Sequence, residues 1–280
     1  MNNRTHPSSF GVVIGAMKAG STSLFDYLIQ HPEICGSDIK ETNYFSGDSF
    51  SATDLGEYTK LWGTWDPALH KVAVEASVNY TKIPSRPNVA ARIAGFEADW
   101  RFIYLLRHPI ERIESHLTHG QAREWIAQEV TPHHVTCSMY AKQLDAYCKE
   151  FSRERVLVVL SKDLRHNRES TVKRILEFLG VDGAIPTAAV SSVSNTSGEH
   201  RVDHFLIRSL RKNGVLRSAG RLVPANVRRA IRKRTGAPVR KVSLPDETVA
   251  GVLRQLKPDL LRLRDVYNID CESVWGLSLS

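Results

Sequence analysis

Residues 10–22 of the chain read FGVVIGAMKAGST and are followed directly by SLFDYLIQHP at 23–32. The first part of this stretch is a short apolar run rich in β-branched residues, which predicts a buried strand. Gly15 and Gly20 then bracket a loop, and the apolar spacing after it predicts an amphipathic helix that ends before Pro32. A strand, a loop and a helix N-terminus in this order predict an anion site, because the free amides and the helix dipole favour negative charge.

The polar side chains of the loop also suit a phosphate ligand. Lys18 adds a full positive charge, and Ser21, Thr22 and Ser23 carry hydroxyl groups. The loop differs from a Walker A motif, in which the lysine follows the second glycine, because Lys18 comes before Gly20. We therefore expect Lys18 to reach a different atom of the ligand.

A second cation lies at the end of the next strongly apolar run. Arg101 to Leu106, RFIYLL, predicts a strand, and Arg107 follows it where a nucleotide triphosphatase would place a Mg²⁺-binding aspartate. An arginine at the carboxyl end of a parallel strand faces the usual ligand crevice and can bind phosphate in a bidentate manner. The alternative is an ordinary ion pair with a carboxylate. We favour a nucleotide with two separated phosphate sites and no obligatory metal.

Three segments together resemble one enzyme family. Lys18 to Thr22 resembles the 5′-phosphosulfate loop of sulfotransferases that use 3′-phosphoadenosine 5′-phosphosulfate (PAPS), and Leu105 to Pro109, with Arg112 and Ser115, resembles their 3′-phosphate site. Lys40 to Phe45, KETNYF, resembles a segment of the heparan-sulfate or carbohydrate-type branch. The resemblance runs from about residue 10 to residue 275 and is weaker after residue 191.

The resemblance implies roles for particular residues. Lys18 would neutralise the leaving phosphate oxygen, and Glu41, next to Lys40, would be the general base. Glu75 is a rival base, with His116 or His119 after it. An ion pair between Lys40 and Glu41 is the competing interpretation of that pair. The donor-binding residues would be Ala19, Gly20, Ser21, Thr22, Ser23, Arg107, Ser115, Asn195, Ser197 and Arg201.

Alternating strand and helix patterns predict a single α/β domain over residues 10–280, with a mainly parallel central sheet flanked by helices, as in P-loop nucleotide-binding folds. The predicted strands are 10–14, 72–75, 101–106 and 156–160. The predicted helices after the first are a short one near 55–61, then 88–94, one beginning at Pro109, 138–151, 171–179, 246–256 and 260–267.

The charge is unevenly distributed over the 280 residues, which carry a formal net charge of +8. Basic residues are concentrated in 201–241, which predicts either a patch for an anionic acceptor, a nucleic acid or a membrane surface, or simply a solvated helical face. No nucleic-acid-binding motif accompanies them, so we expect no specific nucleic-acid partner. The four cysteines are scattered without a CxxC pair, which argues against zinc or a disulfide framework.

The first nine residues are polar and predict a disordered tail without a signal peptide or membrane anchor. Golgi relatives carry such an anchor, so the chain is similar to bacterial, cytoplasmic members of the family. The expected acceptor is a small molecule or glycan, with anionic and lipid-linked forms included, and peripheral membrane contact is compatible with this. The sequence does not indicate the oligomeric state.

Two other classes of function are compatible with the same features. One is a small-molecule kinase that uses Mg²⁺ and ATP, against which Arg107 argues. The other is a non-catalytic nucleotide- or polyanion-binding protein that uses the basic segment. Tyr58, Trp62 and Trp65 offer an aromatic platform for a sugar acceptor or, alternatively, ordinary core packing.

Overall fold

The computed structural model describes residues 6–48, 50–51, 55–122, 129–184, 201–202, 237–238 and 241–279. Its centre is a parallel sheet of five strands with the order β2-β3-β1-β4-β5. The strands are β1 (Ser9–Gly15), β2 (Ile34–Gly36), β3 (Val72–Ala76), β4 (Asp99–Leu106) and β5 (Val156–Leu160). Two further short strands, β6 (Arg201–Val202) and β7 (Ala237–Pro238), pair in an antiparallel manner.

The helices connect and cover these strands. They are α1 (Ser21–Leu28), α2 (Gly56–Thr59), α3 (Val89–Ala94), α4 (Pro109–Ala122), α5 (Pro132–Thr136), α6 (Tyr140–Glu150), α7 (Ser161–His166), α8 (Arg168–Leu179), α9 (Asp246–Tyr267) and α10 (Cys271–Trp275). Short 3₁₀ turns occur at Tyr44–Ser46, Val78–Thr81 and Arg153–Arg155. The predicted α/β architecture with a parallel sheet flanked by helices is confirmed.

The two central strands carry the most apolar sequences because they are buried on both faces. Val12, Val13 and Ile14 of β1 are fully buried, as are the last five residues of β4. Their parallel pairing aligns Val13 with Ala76 on one side and with Ile103 on the other. The carboxyl ends of β3, β1 and β4 therefore lie next to one another, and the segments that leave these ends form one edge.

The structure differs from the predictions at several helices and strands. Strand β2 has three residues, too few to show a periodic pattern. Helix α9 continues through Pro258, although the sequence predicted two segments. Its buried stripe of Val252, Leu256, Leu260 and Leu263 spans the proline, and burial at about 1.5–3 kcal/mol per side chain outweighs a cost of about 3 kcal/mol for a mid-helix proline.

The aromatic platform suggested for residues 58–65 is wrong for its first two members. Tyr58 and Trp62 are almost completely buried, and both rings pack against Phe10 with centroids 5.3 and 5.4 Å away. Trp65 is half-buried and lies 5.6 Å from the ring of His70. Tyr58 and Trp62 therefore belong to the packing around Phe10 of β1.

The predicted domain bounds stay predictions. At the N-terminal bound, the first strand begins one residue earlier than predicted. Strand β1 already begins at Ser9, and the Asp99 amide donates to the Ser8 carbonyl at 2.9 Å. Residues 1–5 lie outside the described residues. Most of the basic segment 201–241 does too, apart from the backbone of β6 and β7 and residue Lys241.

Candidate active site

The loop between β1 and α1 is held by hydrogen bonds to its backbone. The Ala16 amide donates to the Leu105 carbonyl at 2.8 Å, and Ser161 Oγ donates to the Ala19 carbonyl. The guanidinium of Arg107 donates from Nη1 to the Lys18 carbonyl at 3.2 Å. Two loop carbonyls are thus bound by neighbouring side chains, which leaves the opposite side of the backbone for a ligand.

The backbone conformation of this loop explains its glycines. Gly15 has a φ of 148°, and a Cβ there would lie 2.1 Å from Thr81 Oγ1, which donates to the Ile14 carbonyl. Gly20 has a φ of 107°, and Lys18 also adopts a positive φ of 69°. The chain therefore enters α1 by a tight left-handed turn, and the first amides of α1 have no acceptor within the helix.

The predicted donor-binding residues of the loop differ in exposure. Gly20 and Thr22 are exposed, and Lys18 and Ser23 are half-buried. Ala19 and Ser21 have side chains that are almost fully buried, so Ala19 offers a ligand its backbone alone. This arrangement can hold an anionic group with backbone amides, the hydroxyl of Thr22 and the Lys18 ammonium.

Arg107 is placed at the end of β4, beside the loop. Its Nε and Nη2 atoms donate to Glu111 Oε2 at 3.1 and 3.0 Å, while Tyr140 donates to its carbonyl oxygen at 2.6 Å. The ion pair that was the competing interpretation is thus present, but half of the Glu111 side chain is exposed. An anion of higher charge can replace a solvated carboxylate partner of this kind.

Ser115 lies further along α4 and is half-buried. Within the described ranges, no hydrogen bond joins Ser115 to Arg107 or to the loop. The structure therefore brings Arg107 and Lys18 together directly and leaves the predicted role of Ser115 as a prediction. Asn195 and Ser197 lie outside the described residues, and only the backbone of Arg201, in β6, is described.

The segment with Lys40 and Glu41 is docked at the end of β3. The Glu41 amide donates to the Ala76 carbonyl at 3.0 Å, and the Val78 amide donates to Glu41 Oε2 at 2.9 Å. Lys40 Nζ lies 2.5 Å from Glu41 Oε1, and a third of the Glu41 side chain is exposed. The predicted base is therefore accessible, fixed in position and paired with a lysine.

Glu75 lies beneath this segment and has no exposed surface. Tyr58 and Tyr80 donate their hydroxyls to Oε1 at 2.8 and 3.0 Å, and Thr42 and Ser77 donate theirs to Oε2 at 2.5 and 2.7 Å. Burial raises the pKa of Glu75, and the four hydrogen bonds oppose that rise. A carboxylate enclosed in this way cannot reach the proton of an acceptor, so the geometry favours Glu41 over Glu75 as base.

His116 of α4 is also poorly suited to proton transfer, and the role of His119 stays a prediction. His116 is buried, and burial, followed by the charge of Arg112, lowers its pKa to about 2. It therefore stays neutral and is a poor proton acceptor at neutral pH. His119 is half-buried in the next turn of the helix.

Sequence reasoning missed two residues that support the site. Ser161 follows β5 directly and Thr81 follows β3 by a short turn, and both hydroxyls bond to backbone carbonyls of residues 14–19. The available signal was their position, because a hydroxyl just after a parallel strand reaches the same sheet edge as the loop.

Metal-binding clusters and membrane-spanning helices are absent from the described part of the chain. No group of three or more histidine, cysteine, aspartate or glutamate side chains there has the arrangement of a metal site. None of the helices described is long and apolar enough to cross a bilayer.

Comparison with known proteins identifies a family. A model of the sulfotransferase domain matches residues 12–220, well over half of the chain. A crystal structure of a sulfotransferase from Alicyclobacillus acidocaldarius has a TM-score of 0.62 at 20% identity, with 96% of this chain and 99% of that chain covered. At 20% identity, this similarity shows a shared fold and nothing further.

Two sequence relatives are similar over shorter stretches. The membrane-associated sulfotransferase kil1 of Dictyostelium discoideum is 32% identical over 122 residues, which are 43% of this chain and 24% of that protein. The mouse bifunctional heparan sulfate N-deacetylase/N-sulfotransferase 4 is 22% identical over 195 residues, which are 61% of this chain and 22% of that protein. The chain thus matches less than a quarter of the length of either relative.

Proposed function

This chain belongs to the sulfotransferase domain family, and we propose that it transfers a sulfuryl group from PAPS to a hydroxyl of a carbohydrate or glycolipid acceptor. The observation that carries the proposal is the contact between Arg107 and the Lys18 carbonyl, 3.2 Å long. Lys18 and Arg107 thus lie at the same sheet edge, which supports a donor whose two anionic ends bind there.

The residues of the loop fit the 5′ end of such a donor. Two of the loop carbonyls are bound by Arg107 and Ser161, and the first amides of α1 are free of intrahelical partners. In sulfuryl transfer the S–O bond to the phosphate breaks as a new S–O bond to the acceptor oxygen forms, so negative charge grows on the leaving phosphate oxygen. Lys18 would neutralise that charge, which is electrostatic stabilisation of the transition state.

Arg107 would hold the 3′ end of the donor. Its side chain is only 19% exposed, so a phosphate bound there is partly shielded from water and interacts more strongly. Exchange of Glu111 for a phosphate would leave the bond from Nη1 to Lys18 intact. Donor binding and the shape of the loop would then be coupled through one side chain.

Glu41 would remove the acceptor proton. Its carboxylate is held by the Val78 amide and by Lys40 Nζ, and these contacts orient it without burying it. Lys40 would help to orient the carboxylate through its charge-assisted hydrogen bond to Oε1. The proton of the acceptor hydroxyl would pass to a Glu41 oxygen while the acceptor oxygen bonds to sulfur.

The proposal of a carbohydrate acceptor rests on the KETNYF segment, which resembles a segment of the heparan-sulfate-type branch. The Thr42 hydroxyl donates to Glu75, and the amides of Asn43 and Phe45 donate to the hydroxyls of Ser77 and Tyr80. These bonds hold the segment that carries Glu41 at the end of β3. A cytoplasmic location and a bacterial origin stay predictions.

Calorimetric titration with 3′-phosphoadenosine 5′-phosphate (PAP), ADP, and ATP with and without Mg²⁺ tests the proposal. We expect metal-independent binding that is strongest for the 3′-phosphorylated nucleotide. Lys18→Ala should weaken it, while Lys60→Ala, which alters an exposed lysine paired with Glu57, should leave it unchanged. Preference for ATP with Mg²⁺ would instead support the kinase alternative, and no nucleotide binding at all would contradict the assignment.

A further inference from the structure

Helix α6 carries three polar side chains on one buried face. Tyr140, Gln143 and Tyr147 follow one another at intervals of three and four residues, so they lie on the same side of the helix. At most 1% of each residue is exposed. Buried polar groups need hydrogen-bond partners, and here the partners are backbone groups that follow β3 and β4.

Two of these side chains bind the segment that follows β3. The Tyr147 hydroxyl donates to the Tyr80 carbonyl at 3.2 Å. The Gln143 side chain accepts from the Ile83 amide at 3.1 Å and donates to the Ile83 carbonyl at 3.2 Å. The Val78 amide of the same segment donates to the candidate base, so α6 holds the base side of the site.

Tyr140 binds the backbone on the donor side. Its hydroxyl donates to the Arg107 carbonyl at 2.6 Å. The pairing of β4 with β5 stops at Leu106, so Arg107 is the first residue beyond the sheet. The bond fixes the backbone from which the guanidinium extends and the direction in which the chain enters α4, which carries Glu111. Burial raises the pKa of Tyr140 to about 12, so its hydroxyl stays protonated and donates at neutral pH.

The ring of Tyr140 is held independently of its hydroxyl. Its centroid lies 6.0 Å from the ring of Tyr104 in β4 and 5.9 Å from the ring of Trp275 in α10. Tyr104 is completely buried. Because these contacts belong to the ring, a phenylalanine at position 140 would keep the packing and lose only the bond to the carbonyl.

The first turn of α6 is fixed by α9. No side chain of the helix's own N-cap residue bonds to its free amides. Asp259 of α9 accepts from the amides of Ala141 and Lys142 at 3.0 and 2.8 Å, the second and third amides of the helix, which an N-cap side chain usually binds. Arg262 donates to both carboxylate oxygens of Asp145 at 2.7 and 2.9 Å and joins the same two helices further along.

We propose that Tyr140 is a positioning residue of the donor site: its hydroxyl holds Arg107 where the guanidinium would meet the 3′-phosphate, and Asp259 holds Tyr140 through the first turn of α6. The proposal rests on the proposed function and deepens it, since it gives a role to two helices that supply no group to the donor. Because Gln143 and Tyr147 bind the segment after β3, the same helix sets the distance between the donor arginine and the base.

Calorimetric titration of Tyr140→Phe with PAP tests the proposal. We expect affinity about three- to tenfold below that of the original protein, the effect of one lost hydrogen bond. Tyr147→Phe is the matched control, because it removes a buried hydroxyl from the same helix face but frees the carbonyl of Tyr80. Its affinity should stay within about twofold of the original. Should Tyr140→Phe fail to fold in urea denaturation controls, Asp259→Asn decides, and it should also weaken PAP binding.

A second readout does not depend on PAP. In protein with isotope-labelled arginine, NMR detects the Nε–H group of Arg107, which donates to Glu111 Oε2 at 3.1 Å, and Arg107→Ala identifies its signal. We expect Tyr140→Phe to shift this signal and Tyr147→Phe to leave it in place. A purely structural role of α6 would affect the two variants alike.

The two readouts separate this proposal from the proposed function. If the original protein binds no PAP but the Arg107 signal responds to Tyr140→Phe alone, the proposed function fails and the positioning of Arg107 stands. If PAP binds and Tyr140→Phe keeps its affinity within about twofold, or both tyrosine variants lose affinity equally, Tyr140 is not a positioning residue. An Arg107 signal that stays in place in Tyr140→Phe would overturn the proposal as well.

Discussion

The side chain of Arg107 lies against the backbone of Lys18, with Nη1 3.2 Å from the carbonyl oxygen. The two residues are 89 positions apart in sequence. Lys18 lies in the loop after β1, and Arg107 directly follows β4. Because the same guanidinium also faces Glu111, it connects the loop to the exposed start of α4. A change of binding partner at Arg107 would therefore also affect the position of the loop, which would hold the other end of the donor.

Replacing Arg107 by alanine should weaken PAP binding by about ten- to a hundredfold, since hydrogen bonds to charged groups contribute about 1.5–3 kcal/mol. Calorimetry measures this directly. Glu111→Gln is the matched control, because it removes the competing carboxylate and keeps the arginine, and its affinity for PAP should be equal or higher. An affinity of Arg107→Ala within about twofold of the original would contradict the assignment of the second phosphate site.

Replacing Glu41 by glutamine should lower turnover by about 10²- to 10⁴-fold, the usual contribution of a positioned general base. The amide can keep the bond from the Val78 amide, so the segment should hold its shape and PAP affinity should stay nearly the same. Glu57→Gln, in α2 and paired with Lys60, makes the same chemical change elsewhere. Turnover is measured at saturating donor, and unchanged turnover in Glu41→Gln would exclude it as the base.

The fold was predictable in those segments where a short run of residues already indicates one type of secondary structure. The apolar runs of β1 and β4 and the loop with Lys18 were identified from residue patterns, because burial on both faces demands such runs. Strand β2 was missed since a three-residue strand has no measurable period. The continuity of α9 through Pro258 depends on its packing stripe, a tertiary property that overrides local propensity.

The roles of the site residues stay predictions, and the hydrogen-bond network around them was not predictable from the sequence. Glu75 was identified only as a rival base, and its enclosure depends on Thr42 and Tyr58, which are 33 and 17 residues away. Arg112 and His116 are a further example, because they contact Ser138 and His134, which belong to a later segment of the chain.

Removing the hydroxyl of Tyr58 should destabilise the protein by about 1–3 kcal/mol, the cost of leaving a buried acceptor with a lost partner. Tyr58→Phe leaves Glu75 Oε1 with Tyr80 alone. Tyr267→Phe is the matched control, since it removes an equivalent bond, 2.7 Å long, to the partly exposed Asp145, which keeps its pair with Arg262. Urea denaturation should show the larger loss for Tyr58→Phe, and equal losses would contradict the role of burial at Glu75.

Stability should fall in mild acid because of two buried histidines, His116 of α4 and His134 of α5. The pKa of His116 is lowered to about 2 and that of His134 to about 4, first by burial and then by Arg112. An unfolded histidine has a pKa of about 6.5. Between those values the unfolded chain binds more protons than the folded one, so the free energy of unfolding decreases as the pH falls below about 6.5.

Each neutral buried histidine should contribute a slope of up to about 1.4 kcal/mol per pH unit between about pH 6 and 4. The groups that face His116 are Arg112 on its own helix, His133 and His134 from α5, and Lys82. All of them disfavour its protonation. Denaturation at several pH values, in chloride buffers free of sulfate and phosphate, should therefore give a shallower profile for His116→Asn than for the original protein. His166→Asn, exposed in α7, should keep the original slope. If His116→Asn kept it as well, His116 would already be protonated in the folded protein, which would contradict its lowered pKa.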